Sequence, residues 1–231
     1  MLTVNADDWG WSQELTDRIL SCYQRKKIHS ASGMAFMGDS LRAADLAADS
    51  GLEVGLHLNL TEAFTGANAS PELRERHERV ASYLLARKPN QVLWNPMLGS
   101  AVEYVVRSQW EEYERLYGRP PIRMDGHHHM HLCMNMLLSG LIPKGLQVRR
   151  HFTFARREKG PLNRLYRYAV DRWLGSRCRI SDFFFSMAPV LKERLDKIVG
   201  LSFGATVELM VHPGVDTEYR YLLGDEWSEL F

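Results

Sequence analysis

The chain has 231 residues, of which 45% are hydrophobic and 25% are charged, and its formal net charge is +1. These values are typical of one globular domain, and so small a net charge gives no reason to expect nucleic acid as a partner. No stretch approaches the roughly 18 apolar residues that a membrane-spanning helix needs. We therefore expect a single domain, residues 1–231, with neither a nucleic-acid partner nor a membrane span.

The three cysteines bear on the cellular compartment. Cys22, Cys133 and Cys178 match no metal-binding or redox spacing, and three thiols cannot all pair. The N-terminal residues also lack the basic segment and the apolar run of a signal peptide. Because reduced thiols are typical of reducing compartments, we expect a cytoplasmic protein.

Short β-like runs alternate along the chain with amphipathic helical patterns. The runs predict seven strands, near residues 2–7, 31–37, 52–60, 122–125, 147–152, 181–187 and 206–212. Helical periodicity predicts helices near residues 12–27, 41–50, 71–87, 101–117, 133–140, 163–175 and 189–199. This alternation indicates a mostly parallel sheet, either a barrel or an open doubly wound sheet. In both architectures functional residues lie at the C-terminal ends of the strands.

Four predicted strands carry or end in side chains of catalytic type. The first ends at Asp7 and Asp8, and the third carries His57. The fourth runs into the histidine-rich segment 127–131, and the seventh ends at His212. Because the C-terminal ends of parallel strands share one edge of the sheet, we expect these side chains to meet there.

Each of these residues also has a purely structural interpretation. Asp7 and Asp8 could bind a cation and act as a base, or could cap a helix that begins near residue 12. His57 lies in a strand pattern that places it on one face with Asn59 and Thr61. Taken alone, a histidine such as His57 is more often a hydrogen-bonded structural residue than a ligand, and His212 could equally be one.

Residues 125–131 read DGHHHMH and are the strongest local signal. In an extended chain, Asp125, His127, His129 and His131 share one side, and His128 points away. Such a cluster favours a metal-binding or acid–base role, although the spacing does not decide which histidines bind. One carboxylate with imidazoles suits Zn²⁺ or another divalent transition metal, and Mg²⁺ less well. A spare carboxylate and imidazole nearby are what metal-assisted hydrolysis requires.

Four segments resemble the signature blocks of the YdjC-like carbohydrate deacetylases. They are NADDWG at 5–10, VGLHLNLTE at 54–62, DGHHHMH at 125–131 and ELMVHPG at 208–214, with further similarity at 109–121 and 181–185. The resemblance implies a distorted TIM-like (β/α) barrel of about seven strands that removes an acetyl group from an N-acetylated amino sugar or short oligosaccharide.

The resemblance also assigns roles that the spacing left open. It implies that Asp8, His57 and His127 bind one divalent ion, Zn²⁺ or Mg²⁺. It further implies that Asp7 is the base and His212 the acid. It leaves His128, His129 and His131 without a role, and it suggests a homodimer.

Side chains that could contact a sugar are less specific. The aromatic candidates are Trp9, Trp11, Trp94, Phe152 and Phe154, although aromatic side chains are more often part of the core. Arg149 and Arg150 follow a predicted strand, and we expect one of them to reach the site.

Two other functions compete with deacetylation. A metal-dependent phosphoesterase on a similar barrel typically holds two or three ions and has an early His-x-His pair, but residue 59 here is Asn59. A catalytically inactive sugar-binding module would keep its function when Asp7 is replaced by asparagine. A glycosidase is less favoured, because a pair of carboxylates would replace the histidines.

Overall fold

The computed structural model of the protein describes residues 1–154 and 158–230. The predicted single domain, 1–231, therefore includes four residues outside the described part. The seven strands are β1 (Leu2–Trp9), β2 (Ser30–Gly33), β3 (Glu53–Leu58), β4 (Arg123–Gly126), β5 (Gln147–Val148), β6 (Phe183–Ser186) and β7 (Val207–Val211). They form one parallel sheet in the order β5-β4-β3-β2-β1-β7-β6.

Helices connect the parallel strands. They are α1 (Gln13–Gln24), α2 (Ser40–Ser50), α3 (Pro71–Ala86), α4 (Gly99–Tyr117), α5 (Met134–Ser139), α6 (Pro161–Gly175), α7 (Lys192–Leu201), α8 (Asp216–Leu223) and α9 (Asp225–Ser228). Local sequence sets several of their ends. The Ser12 side chain accepts a hydrogen bond from the Leu15 N–H at the start of α1, and Gly118 ends α4 with a φ of 66°.

The sheet curls so that its two edge strands approach each other. Outside the regular ladder, the Val148 N–H donates to the Arg179 carbonyl, and the Thr153 N–H donates to the Phe184 carbonyl, both at 2.8 Å. These bonds join the chain beside β5 to the chain beside β6. The predicted barrel of about seven strands is therefore confirmed, with irregular closure between β5 and β6 in place of a continuous ladder.

The strand boundaries differ most from the predicted ones in β2 and β5. The run 31–37 forms a strand only as far as Gly33, since Phe36 takes a left-handed φ of 61°. The run 147–152 contributes two strand residues, because the chain beyond Val148 keeps only isolated hydrogen bonds to its neighbours. Helices α8 and α9 were not predicted.

The interior of the barrel contains polar side chains as well as apolar ones. The Arg123 guanidinium donates hydrogen bonds to Ser30 Oγ, at 2.9 Å, and to Asn5 Oδ1. Its positive charge therefore lies in the interior of the barrel. A Cβ on Gly55 would lie 2.4 Å from Arg123 Cγ. Gly55 therefore leaves the space that the buried arginine fills.

Within the described residues, no helix combines the length and the apolar character that a membrane crossing requires.

Candidate metal centre

An irregularity at the end of β1 brings two adjacent carboxylates into one cleft. Successive residues of a regular strand point to opposite faces, yet Asp7 and Asp8 both line the same cleft. The register between β1 and β2 shifts between Ala6 and Trp9, and Asp8 has a φ of 69°. This left-handed conformation is uncommon outside glycine. The local distortion is what allows neighbouring aspartates to serve one site.

Asp8, His57 and His127 converge at the C-terminal ends of β1, β3 and β4. Asp8 Oδ1 lies 3.2 Å from His57 Nε2 and 3.0 Å from His127 Nδ1. The three ligand atoms lie within 4.8 Å of one another, and all three residues are buried. One carboxylate oxygen with two imidazole nitrogens is a donor set that divalent transition metals accept. These residues could therefore hold a metal ion.

His127 supports this interpretation independently. Its second ring nitrogen, Nε2, is buried and has no hydrogen-bond partner among the described residues. A buried polar atom without a partner costs free energy, so such atoms are uncommon in folded proteins. The described residues therefore leave one nitrogen of the His127 ring available to a partner outside the chain.

Asp125 orients His57. Asp125 Oδ1 lies 2.6 Å from His57 Nδ1, so the opposite ring nitrogen, Nε2, faces Asp8. Asp125 Oδ2 in turn accepts a hydrogen bond from Ser32 Oγ at 2.7 Å. A carboxylate behind a ligating imidazole fixes its orientation and raises its basicity.

The charge around His57 favours a cation at Nε2. Burial lowers the pKa of this histidine, but the charges of Asp125 and Asp7 and hydrogen bonds to Asp125 and Asp8 outweigh it and raise the pKa to about 10. Burial also raises the pKa of Asp8, yet hydrogen bonds from His127 and His57 bring it below its usual value. The same negative charge that holds a proton on Nε2 would attract a divalent ion.

Arg149 links the carboxylates around the cluster. Its guanidinium binds Asp7 through two hydrogen bonds of 2.7 and 2.8 Å. It also lies 2.7 Å from Asp125 Oδ2 and 2.7 Å from Glu208 Oε1. Burial lowers the pKa of Arg149, but these three negative charges outweigh it and hold the pKa well above the usual value. One buried cation thus neutralises part of a strongly acidic site.

A second set of residues, Asp7, His57 and Asp125, also lies close enough to hold a metal. Both of its carboxylates, however, already bind the positive charge of Arg149. Because a second cation would be repelled there, the set of Asp8, His57 and His127 is the better candidate.

His212 follows β7 and lines the same cleft as Asp7 and Asp8. The cleft has a volume of about 350 Å³, and Trp11 forms part of its wall. The Trp11 ring packs edge-on against His127 with centroids 5.0 Å apart. The cleft therefore presents an aromatic wall beside two carboxylates and a histidine, which is a combination typical of small-molecule sites.

The remaining histidines do not share one side with His127. Strand β4 ends at Gly126, and His128 and His129 take left-handed φ values of 52° and 60°, so the extended geometry assumed for this segment is wrong. His128 Nδ1 lies 3.1 Å from Thr61 Oγ1, and His129 packs against the rings of Phe152 and Phe184.

His131 and Asn59 form hydrogen bonds with the backbone. His131 Nε2 lies 2.9 Å from the Arg149 carbonyl oxygen, and burial lowers the pKa of His131 to about 4. The row of His57, Asn59 and Thr61 expected on one strand face is also wrong, because β3 ends at Leu58. The Asn59 side chain accepts hydrogen bonds from the Thr61 and Glu62 N–H groups and so closes a turn.

Among the candidates for sugar contacts, the structure separates the two arginines and two of the tryptophans. Arg149 enters the barrel, whereas Arg150 pairs with Asp171 at 2.9 Å. Trp9 is fully buried, and Trp11 reaches the cleft.

Glu208 and Glu218 were not among the residues predicted for the site. Glu208 could have been found from the sequence, because it is an acidic residue within the apolar run of β7. Glu218 lay in a segment without a predicted element.

The fold and the cluster together define an α/β barrel protein with a candidate divalent-metal site at the C-terminal ends of its strands. The chain belongs to the YdjC-like protein family, whose model matches residues 1–230.

A chitooligosaccharide deacetylase of Serratia marcescens is 33% identical over 133 residues, which cover 57% of this chain and 51% of that protein. The chitooligosaccharide deacetylase of Yersinia pestis (strain Pestoides F) is 29% identical with the same coverage. The chain thus matches about half the length of these curated relatives. A crystal structure of a candidate cellobiose-phosphate cleavage protein from Enterococcus faecalis V583 has a TM-score of 0.68 at 19% identity, over 99% of this chain and 92% of that one. This likeness concerns the fold.

Proposed function

We propose that the protein is a metal-dependent carbohydrate deacetylase that releases acetate from an N-acetylated amino sugar or a short oligosaccharide of such sugars. The convergence of Asp8, His57 and His127 beside a second carboxylate and a histidine is the observation that carries this proposal. Membership of the YdjC-like family and the similarity to two chitooligosaccharide deacetylases support the same chemistry.

In the proposed reaction each residue has a separate task. Asp8, His57 and His127 hold one divalent ion, Zn²⁺ or Mg²⁺, which when bound polarises the acetyl carbonyl and lowers the pKa of water. A carboxylate oxygen of Asp7 takes the proton of the attacking water, while Arg149 keeps that carboxylate in place. His212 gives a proton to the nitrogen of the departing amine.

The cleft matches this division of tasks. Asp7 and His212 both line it, so a water molecule and an amide nitrogen can lie between them. Arg18 also lines the cleft, but it pairs with Glu14 at 2.9 Å and with Asp216 at 2.7 Å. Because its charge is compensated, the cleft suits an uncharged sugar better than a phosphorylated one.

Metal removal tests the proposal directly. We expect purified protein to release acetate from N-acetylglucosamine oligomers, to lose this activity after chelation, and to regain it with one equivalent of Zn²⁺ or another divalent ion. Acetate would be measured enzymatically, and metal by elemental analysis of the reloaded protein. Two or three ions per chain would favour a phosphoesterase instead. If the metal-loaded protein deacetylates none of a panel of acetylated amino sugars, the proposal is wrong.

We further propose that two copies of the chain associate through α6. Three large side chains on this helix, Leu162, Leu165 and Tyr168, are exposed by 83%, 64% and 62%. Contiguous apolar side chains of this size are typical of protein contacts. Light scattering should give twice the 26.6 kDa mass of one chain for the wild type, and a single-chain mass for Leu162→Ser/Leu165→Ser. A wild type with the mass of one chain would contradict the proposal.

A cytoplasmic location is proposed on the state of the thiols. Cys22, Cys133 and Cys178 are all buried and free, as is usual in a reducing compartment. Recovery of the protein from a non-cytoplasmic fraction of its native cells would contradict this.

A further inference from the structure

Helix α8 places a buried carboxylate behind His212. Glu218 lies in the first turn of this helix and is only 2% exposed. Its Oε2 accepts a hydrogen bond from the His212 backbone N–H at 2.7 Å. Its other oxygen, Oε1, lies 3.9 Å from His212 Nδ1, which is an ion-pair distance but not a hydrogen bond.

The hydrogen bond fixes the backbone of His212, and the second carboxylate oxygen lies on the Nδ1 side of its ring. The side chain of His212 is 31% exposed, so the ring lies between the buried carboxylate and the open cleft. Because Nδ1 faces Glu218, Nε2 is the nitrogen left to face the cleft that Asp7 and Asp8 line.

The other charged groups around the cleft do not replace Glu218 or His212 in this pair. Asp7 and Asp8 come from β1 and are bound by Arg149 and by His57 and His127, respectively. From α1, Arg18 is shared between Glu14 and Asp216. Among the described residues, the His212 imidazole is therefore the ion-pair partner that lies within 4 Å of the Glu218 carboxylate.

A buried carboxylate without a positive partner is costly. Burial and the charge of Asp7 raise the pKa of Glu218, whereas the His212 N–H group and the His212 charge lower it. The net effect is a raised pKa, so the Glu218 carboxylate depends on the His212 contacts to carry its charge.

We propose that Glu218 is a positioning residue that holds His212 with Nδ1 towards its own carboxylate and Nε2 directed at the nitrogen of the departing amine. This inference rests on the proposed deacetylase function. As the bond between the acetyl carbon and the water oxygen forms, the carbon–nitrogen bond breaks and its electron pair stays on the nitrogen. That nitrogen takes the proton from His212 Nε2, and Asp7 takes the proton of the water. Proton exchange with solvent then restores both side chains.

The variant Glu218→Gln tests the charge with little change in shape, since its amide oxygen can still accept the His212 N–H. On an N-acetylglucosamine oligomer we expect kcat to fall about 10- to 100-fold, less than the roughly 10²–10⁴-fold for loss of an acid or base itself, with KM changed less than about twofold. Because Glu218 acts through His212, adding Glu218→Gln to His212→Ala should cause no further loss. The control is Glu226→Gln, an isosteric change at an exposed position on α9, which should leave kcat unchanged.

A second substrate separates positioning from a general structural defect. The phenolate of 4-nitrophenyl acetate departs without a proton, so any hydrolysis of this ester should be unaffected by Glu218→Gln but should fall with Asp7→Asn. Wild-type kcat on the sugar for Glu218→Gln, a fully additive double variant, or an equal loss on both substrates would each overturn the role of Glu218 alone. A wild-type enzyme that deacetylates no amino sugar would overturn the proposed function and this inference together.

Discussion

Replacing Arg149 with methionine should lower the free energy of unfolding by about 3–5 kcal/mol, because removal of one partner leaves buried charge uncompensated. The guanidinium is almost fully buried and contacts the carboxylates of Asp7, Asp125 and Glu208. Methionine matches much of the volume but none of the charge. Urea unfolding at neutral pH, followed by circular dichroism, would measure the difference between variant and wild type.

The loss of unfolding free energy caused by Arg149→Met should become smaller at low pH. Burial raises the pKa of Asp125, but the Arg149 and His57 charges outweigh it, and the pKa lies well below its usual value of about 4. In the wild type this contribution to stability is therefore present above pH 4 and is lost only as the pH falls well below it. Without Arg149 the buried carboxylates bind protons more readily. The stability difference should therefore narrow as the pH falls below about 5.

A surface arginine provides the matched control. Arg76 pairs with Glu72 at 2.7 Å on α3, and the two side chains are 37% and 55% exposed. Exposed pairs contribute little, so Arg76→Met should change the unfolding free energy by less than about 0.5 kcal/mol. If Arg149→Met unfolded at the same urea concentration as Arg76→Met, the network around Arg149 would not be what holds the carboxylates in the barrel.

The location of the site could be predicted from sequence because it follows from topology. Parallel strands carry function at their C-terminal ends, and the apolar runs stop at Asp7, at the histidines after residue 126, and at His212. The periodicity of apolar residues was enough to place seven strands and to indicate that these ends meet.

The contacts within the site could not be predicted in the same way, because they depend on departures from regular geometry. A regular strand would separate Asp7 from Asp8, and only the left-handed φ at Asp8 brings both into the cleft. Likewise, an extended chain after Asp125 would align alternate histidines, whereas the left-handed residues 128 and 129 send them to different neighbours. Local sequence carries little information about such single dihedral angles.

Ion pairs between residues far apart in the sequence could not be predicted either. Arg149 and Arg150 are adjacent in sequence, yet one binds three carboxylates inside the barrel and the other pairs with Asp171 on α6. The sequence indicated that one of them would reach the site. Which one does so depends on where β5 leaves the sheet, and this strand is only two residues long.

Replacing each of the two adjacent aspartates by asparagine should remove a different property of the protein, catalysis in one variant and metal binding in the other. The Asp7→Asn variant should still bind the metal. Its kcat for acetate release should fall about 10²–10⁴-fold, because an amide cannot take a proton from water. Its amide oxygen can still accept a hydrogen bond from Arg149, which also keeps Asp125 and Glu208, so the variant should remain folded. Asp8→Asn should instead lose most of its affinity for the metal, because an amide oxygen is a weaker ligand than a carboxylate.

Elemental analysis of both variants, dialysed against the same metal buffer, distinguishes these outcomes, and kcat at saturating metal measures the loss of catalysis. Retained deacetylation in Asp7→Asn would exclude Asp7 as the base. If Asp7→Asn lost the metal and Asp8→Asn kept it, the ion would lie instead between Asp7, His57 and Asp125, the second set of closely spaced ligands. The divalent cation would then lie beside the positive charge of Arg149, which contacts both of these carboxylates. The two substitutions therefore decide which of two neighbouring carboxylates binds the metal and which one moves the proton.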